Sequence, residues 1–211
     1  MNELESAIEY ISPLLAQPLD LRQIFSRTAP IEVDLGCGEG SFLVTLAAQN
    51  PERNFLGIER LAGRVRSVCR KAARLELPNV RVLRIESSYA VARLLPAELI
   101  TAFHLLFPDP WPKRRHRRRR TVTKEFLFAI YRALVPGGLF YIATDHTDYF
   151  REIENLLNMQ PIFARDESRV DYPPTAFEQK FRQQNLLIHR LLLRKVSPVK
   201  KARAVHSPPR N

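Results

Sequence analysis

Cysteine is nearly absent: Cys37 and Cys69 are the only two in 211 residues, too few for a disulfide framework or a four-thiolate zinc site. No stretch approaches the roughly 18 uninterrupted apolar residues of a membrane span. The N-terminus, MNELESAIEY, places three Glu ahead of any long apolar run, which does not fit a signal peptide. These absences lead to the expectation of a cytoplasmic protein with no membrane association. Acidic residues are missing from two stretches, 113–120 and 194–211.

What is present is a chain that is 45% apolar and 26% charged, a globular composition sized for one domain at about 100–200 residues per domain. Its net charge is +11, and the two acid-free stretches explain it. KRRHRRRR (113–120) carries seven Lys/Arg and RKVSPVKKARAVHSPPRN (194–211) carries six, while the other 20 basic residues face 22 acidic ones. Basic patches on a nearly neutral body suggest a polyanionic partner, nucleic acid ahead of an acidic membrane.

Leu4, Ile8, Ile11 and Leu15 share one helical face, which predicts an amphipathic opening helix over 3–15. After Pro30, short apolar runs alternate with helical stretches. Strands are predicted at 31–35, 54–58, 80–85, 100–107 and 139–144. Helices are predicted at 41–49, 61–75 and 123–134, with a short one before Pro96. Five such alternations predict an α/β fold, a Rossmann-like, mainly parallel sheet with helices on both faces. A helix at 148–158 and β-like runs near 161–165 and 186–193 follow. They suit an antiparallel edge pair, although LLIHRLLL also fits a helix. The division expected is an extension over 1–29, a domain over 30–194 and a disordered basic tail over 195–211.

Asp34-Leu35-Gly36-Cys37-Gly38-Glu39-Gly40 follows a buried strand and opens a helix. Glycines there permit a tight turn and close approach of a ligand. The spacing is GxGxG, with Ser41 where a dinucleotide fingerprint wants its third small residue. Asp34 and Glu39 would repel a pyrophosphate but favour S-adenosylmethionine, whose ammonium and sulfonium are cationic. Glu59 ends the second strand, placed to accept the hydroxyls of a ribose, unless it merely stabilises a helix N-terminus.

The fourth strand delivers Phe107-Pro108-Asp109-Pro110-Trp111-Pro112 to the carboxyl edge of the sheet, where open α/β sheets bind ligands. Three prolines stiffen that loop around one acid. A connector whose Trp111 only covers the core is the plainer alternative. The adjoining KRRHRRRR run suits phosphates. His104, inside an apolar strand, reads as a packing residue. His116 belongs to the basic run and His189 to a structural element. Cys37 has no His partner nearby, and Asp145-His146-x-Asp148 reads as contacts plus a helix cap, so no metal site is expected.

IEVDLGCGEGSFL, NFLGIER, LLFPDPWPKRRHRRRR, ATDHTDYF and TAFEQKF resemble, in this order and over roughly 30–182, the bacterial tRNA (guanine-N7)-methyltransferases. The FPDPWPK segment with its basic continuation is the specific part of the likeness. The resemblance implies S-adenosylmethionine as methyl donor and tRNA as partner, with the variable-loop guanine at position 46 as target. By the same resemblance Asp34, Gly36, Gly38, Gly40 and Glu59 bind the donor, and Asp109 is the central active-site acid. Lys113, Arg114, Arg117, Asp145, Thr175 and Glu178 face the tRNA or its target base. The family commonly meets the adenine with an acidic or amide residue before an alanine. This chain has Ser88-Tyr89-Ala90 instead, so Ser88 or Tyr89 is expected to take that contact beside Ala90. A monomer is favoured. The rivals are methylation of another RNA site or of a small molecule, and a non-catalytic RNA-binding protein on the same fold.

Overall fold

The computed structural model describes residues 3–11, 17–159, 161–168 and 170–196. Most of the tail expected to be disordered lies outside them.

The chain begins with α1 (Glu3–Ile8) and β1 (Glu9–Tyr10). The opening helix is therefore shorter than its periodicity predicts. Glu9 and Tyr10 instead pair in parallel with Val82 and Leu83, because the sheet edge offers ladder partners that a lone helix end lacks. After α2 (Leu21–Ile24) come β2 (Ile31–Leu35), α3 (Ser41–Gln49), β3 (Asn54–Ile58) and α4 (Ala62–Arg74). Every residue of β2 and β3 is buried, as expected of parallel strands covered on both faces. Next are β4 (Val80–Leu83), then α5 (Ser87–Tyr89) passing into a π-turn at Ala90–Leu94, and β5 (Ile100–Leu106).

The basic run forms a 3-10 turn, Arg114–Arg119. It precedes α6 (Lys124–Ala133), whose cap Thr123 accepts a hydrogen bond from the Phe126 N–H. Sequence reading ends this helix at Pro136-Gly137-Gly138, but β6 (Leu134–Thr144) already begins at Leu134 and carries that tripeptide inside it. The register against β5 shifts between Ile100 and Ala102. A bulge accommodates Pro136 without an N–H and Gly137 at φ +74°. α7 (Thr147–Asn158), β7 (Phe163–Arg165), α8 (Ala176–Gln183) and β8 (His189–Lys195) complete the described elements.

The eight strands lie in the order β1-β4-β3-β2-β5-β6-β8-β7. The HRLLL part of LLIHRLLL is strand: β8 runs antiparallel between β6 and β7, leaving β7 rather than β8 at the edge. Two apolar clusters flank the sheet. Phe55 belongs to the one with Phe42, Val65 and Val68, while Leu56 and Ile58 belong to the one with Leu127, Phe140 and Tyr149, as strand alternation requires. Leu19, Leu21, Ile24 and Phe25 pack into the second cluster. The chain leaves β2 toward β3 and β4 on one side and returns to β5 and β6 on the other. That reversal opens a crevice at the strands' carboxyl ends.

Candidate active site

The crevice has a volume of about 860 Å³, within the usual size of a small-molecule site. Its walls come from the loops after β2, β3, β4 and β5 and from the start of α8.

The glycine loop is its floor. Gly36 sits at φ +73°, and a Cβ there would meet nothing within 4 Å, so the backbone faces open space. Gly40, at φ +77°, is glycine for another reason: a Cβ would come within 2.7 Å of Val68 on α4. Glu59 is 5% exposed. It accepts hydrogen bonds from the Gly38 N–H at 3.1 Å and the Leu61 N–H at 2.9 Å. One carboxylate thus holds the loop and the start of α4 together. Glu39 also lines the crevice, with Lys71 beside it. Lys71 donates to its carbonyl at 2.8 Å and to Ser41 Oγ at 3.1 Å, with the Glu39 carboxylate 4.0 Å off.

Asp34 is 3% exposed at the end of β2. Burial, and then the charge of Glu59, push its carboxyl up to about 7. A buried acid in this condition favours a cation beside it. Burial, Asp34 and Glu59 also push the Cys37 thiol up, which keeps it protonated and makes it a poor nucleophile.

The segment after β4 differs from expectation in its details. Glu86 and Ser87 line the crevice, whereas Ser88, Tyr89 and Ala90 do not. The Glu86 carboxylate caps α5, accepting from the Ser88 N–H at 3.0 Å and the Tyr89 N–H at 2.8 Å, and Ala90 is fully buried. An acid does stand nearby, three residues before the position that precedes Ala90. Only the geometry of the turn after β4 shows it.

Asp109 is exposed and lines the same crevice. Its loop is pinned at several points. The Phe107 N–H donates to the Ala143 carbonyl at 2.7 Å, and Phe107 and Trp111 are held at φ +51° and +44°, which bulky residues rarely adopt. Arg120 Nε donates to the Pro110 carbonyl at 2.8 Å. That arginine is 4% exposed, ion-paired with Glu152, and its guanidinium lies 4.7 Å from the Tyr149 ring centroid. It is therefore a strut of the loop, and the basic run offers six exposed cations in place of seven. Replacing Arg120 by Gln should lower stability by about 2 kcal/mol, measured by urea denaturation.

Of the residues assigned to tRNA by resemblance, Thr175 lines the crevice and caps α8, accepting the Glu178 N–H at 2.9 Å. Glu178 lies on a separate small pocket, where it receives Arg182 and Arg190 Nη2 at 2.5 Å each. Lys113, Arg114, Arg117 and Asp145 are exposed but do not line the crevice. Arg119 and Lys180 do line it, and sequence reading did not single them out. His146 caps α7 through Nδ1, which accepts the Tyr149 N–H at 3.2 Å.

Fold and site together define a Rossmann-like methyltransferase. Two solved structures share the fold. The 16S rRNA methyltransferase KamB aligns with a TM-score of 0.63 at 18% identity, covering 86% of this chain and 95% of its own. The antibiotic-resistance methyltransferase Kmr aligns at 0.61 and 18%, covering 89% and 95%. Residues 28–191 match the family described as "Putative methyltransferase". The tRNA (guanine-N(7)-)-methyltransferase of Geobacter metallireducens is 40% identical over 152 residues, 69% of this chain and 72% of its own. That of Syntrophotalea carbinolica is 34% identical over 197 residues, 90% and 84%. The chain belongs to the tRNA (guanine-N7-)-methyltransferase family.

Proposed function

We propose that this protein transfers the methyl group of S-adenosylmethionine to N7 of guanine-46 in the variable loop of tRNA. The observation that carries this reading is the buried Asp34 carboxylate beside a glycine loop, in the same crevice that Asp109 lines. A cationic donor fits that floor and a pyrophosphate does not. When bound, the donor supplies an electrophilic methyl on a sulfonium, which departs as a neutral thioether.

Asp34 would stay ionised against the donor's positive charge. Gly36 and Gly38 would give the loop its close approach, Gly40 would let the loop pack on α4 as the donor binds, and Glu59 would exchange its grip on the loop for ribose hydroxyls. At the adenine end, Glu86 and Ser87 are better placed than Ser88, Tyr89 or Ala90. Guanine N7 has a lone pair and no proton, so the residues need not remove one. The N7 lone pair forms the new bond to carbon, and the positive charge passes from sulfur to the purine. Asp109 would accept hydrogen bonds from N1–H and N2–H, fixing the base in line and favouring its growing charge. Thr175, on the crevice, would meet the rest of the nucleotide, a role that the family resemblance also gives to Asp145 and Glu178.

The exposed part of the basic run, with Lys113, Arg114 and Arg117, would hold tRNA phosphates. Affinity should then fall with salt, with a log–log slope of about −0.7 to −0.9 for each phosphate neutralised. Lys113→Gln or Arg114→Gln should make the slope shallower by about one such unit, while Arg120→Gln should leave it unchanged. Filter binding over a salt series measures this. The function itself is tested by incubating unmodified tRNA with labelled S-adenosylmethionine. N7-methylguanosine mapped to position 46 supports the reading; label elsewhere, or none, refutes it.

A further inference from the structure

Four aromatic side chains line the crevice: Phe42, Phe107, Trp111 and Phe177. Phe42 is buried, at 4% exposed. Trp111 already carries the Arg119 guanidinium 5.0 Å from its ring centroid and His116 edge-on at 5.9 Å. Phe177 is different, being 56% exposed on the first turn of α8. A large apolar side chain gains nothing from water, and an exposed helix position is better filled by Gln or Lys, as at the neighbouring Gln179 and Lys180.

The ring is also built into place. Phe181, one helical turn on, stacks against it at 6.1 Å with a 30° interplanar angle. Phe107 lies 6.4 Å from Phe177 and 5.4 Å from Phe181. Phe107 is held in the left-handed region at φ +51°, a conformation that costs energy for a bulky residue and persists only where its surroundings impose it. The strained end of β5 therefore joins α8 to the Asp109 loop through three rings.

From this arrangement we infer that Phe177 is the stacking platform for the target purine and that it favours the base as it becomes cationic. The inference rests on the proposed guanine-N7 methylation. Asp109 reads the edge of the base, and an aromatic face beside it takes the plane, since any base offers a π-face. Methylation at N7 leaves the purine positively charged, and an aromatic face attracts a cation more than a neutral ring. Stacking here strengthens along the reaction.

Phe177→Leu and Phe177→Trp test this, with Phe177→Ala as the stronger truncation. Phe177→Leu is expected to lower kcat/KM for tRNA about 10- to 100-fold, and Phe177→Trp to retain or exceed wild-type efficiency. Wild type should bind N7-methylated tRNA more tightly than the unmodified transcript. In Phe177→Leu that ratio should fall toward one, a readout that a merely structural role would not move. Donor affinity by calorimetry should change less than about twofold, and the melting temperature should hold. Wild-type efficiency in Phe177→Leu overturns the inference. So does a loss of donor affinity equal to the loss of kcat/KM, which would make Phe177 a wall for adenine. If the wild-type product is not N7-methylguanosine, the underlying reading fails. If it is, and Phe177→Leu is unimpaired, the platform alone fails.

Discussion

Asp34→Asn is expected to lose donor affinity about 100-fold, the usual consequence of removing one partner of a buried charge pair, while melting at a higher temperature than wild type in the absence of donor. The two effects share one cause. The Asp34 carboxyl, ordinarily near 3.8, lies at about 7 in the folded chain because it is buried and faces Glu59. Between these values the folded protein keeps a proton that the unfolded chain has released. Stability of the donor-free protein therefore falls as pH rises from about 4 to 7 and stays lowered above that. Asparagine carries no charge to bury, so its advantage is full above pH 7, on the order of 2–4 kcal/mol, and disappears below about pH 4. Scanning calorimetry at pH 8 and pH 5 measures it. Equal melting at pH 8 together with unchanged donor affinity would remove Asp34 from the site. In wild type, donor affinity should weaken as pH drops below about 7, by up to about tenfold per unit, because binding must then displace a proton from Asp34.

Asp109→Asn should act on the other half of the reaction. The substitution keeps the size and the stiff proline loop but replaces a charge with an amide that can present the wrong atom to guanine. Methyl transfer should fall by about 10²- to 10³-fold, as when a preorganised electrostatic group is removed from an active site. Donor affinity should stay unchanged, because the glycine loop, Asp34 and Glu59 belong to β2, β3 and the loops after them, whereas Asp109 stands on the loop after β5. Single-turnover methylation with saturating tRNA separates the two. Near-normal turnover in Asp109→Asn would refute a positioning or electrostatic role for this carboxylate.

Much of the fold is legible because its signals are local. Strands Ile31–Leu35 and Asn54–Ile58 and helix Ser41–Gln49 fall where the apolar runs, glycines and Asn50-Pro51 place them. The errors arise where a distant partner outweighs local preference. Glu9 and Tyr10 leave a helical pattern to pair with β4, and the HRLLL part of LLIHRLLL becomes strand because β6 and β7 flank it. His104 reads correctly as a packing residue, but its partner is invisible in the sequence. Glu32, 72 residues earlier, meets its Nε2 at 2.7 Å. Burial would raise that carboxyl, yet His104 and Arg53 hold it below the ordinary range.

By itself, the sequence determined the alternation of strand and helix, the acidic glycine loop, the proline-stiffened Asp109 loop and the excess of positive charge beside it. Each of these is written in neighbouring residues, where backbone preference and spacing operate. Only the tertiary structure decided which charges are free to meet a ligand. It set Lys71 beside Glu39, buried Arg120 against Glu152, set Glu86 in the crevice in place of Ser88 and Tyr89, and left Phe177 exposed where it lines the crevice. Burial and through-space pairing depend on residues far apart in the chain, and no local pattern records which of two adjacent arginines will face inward.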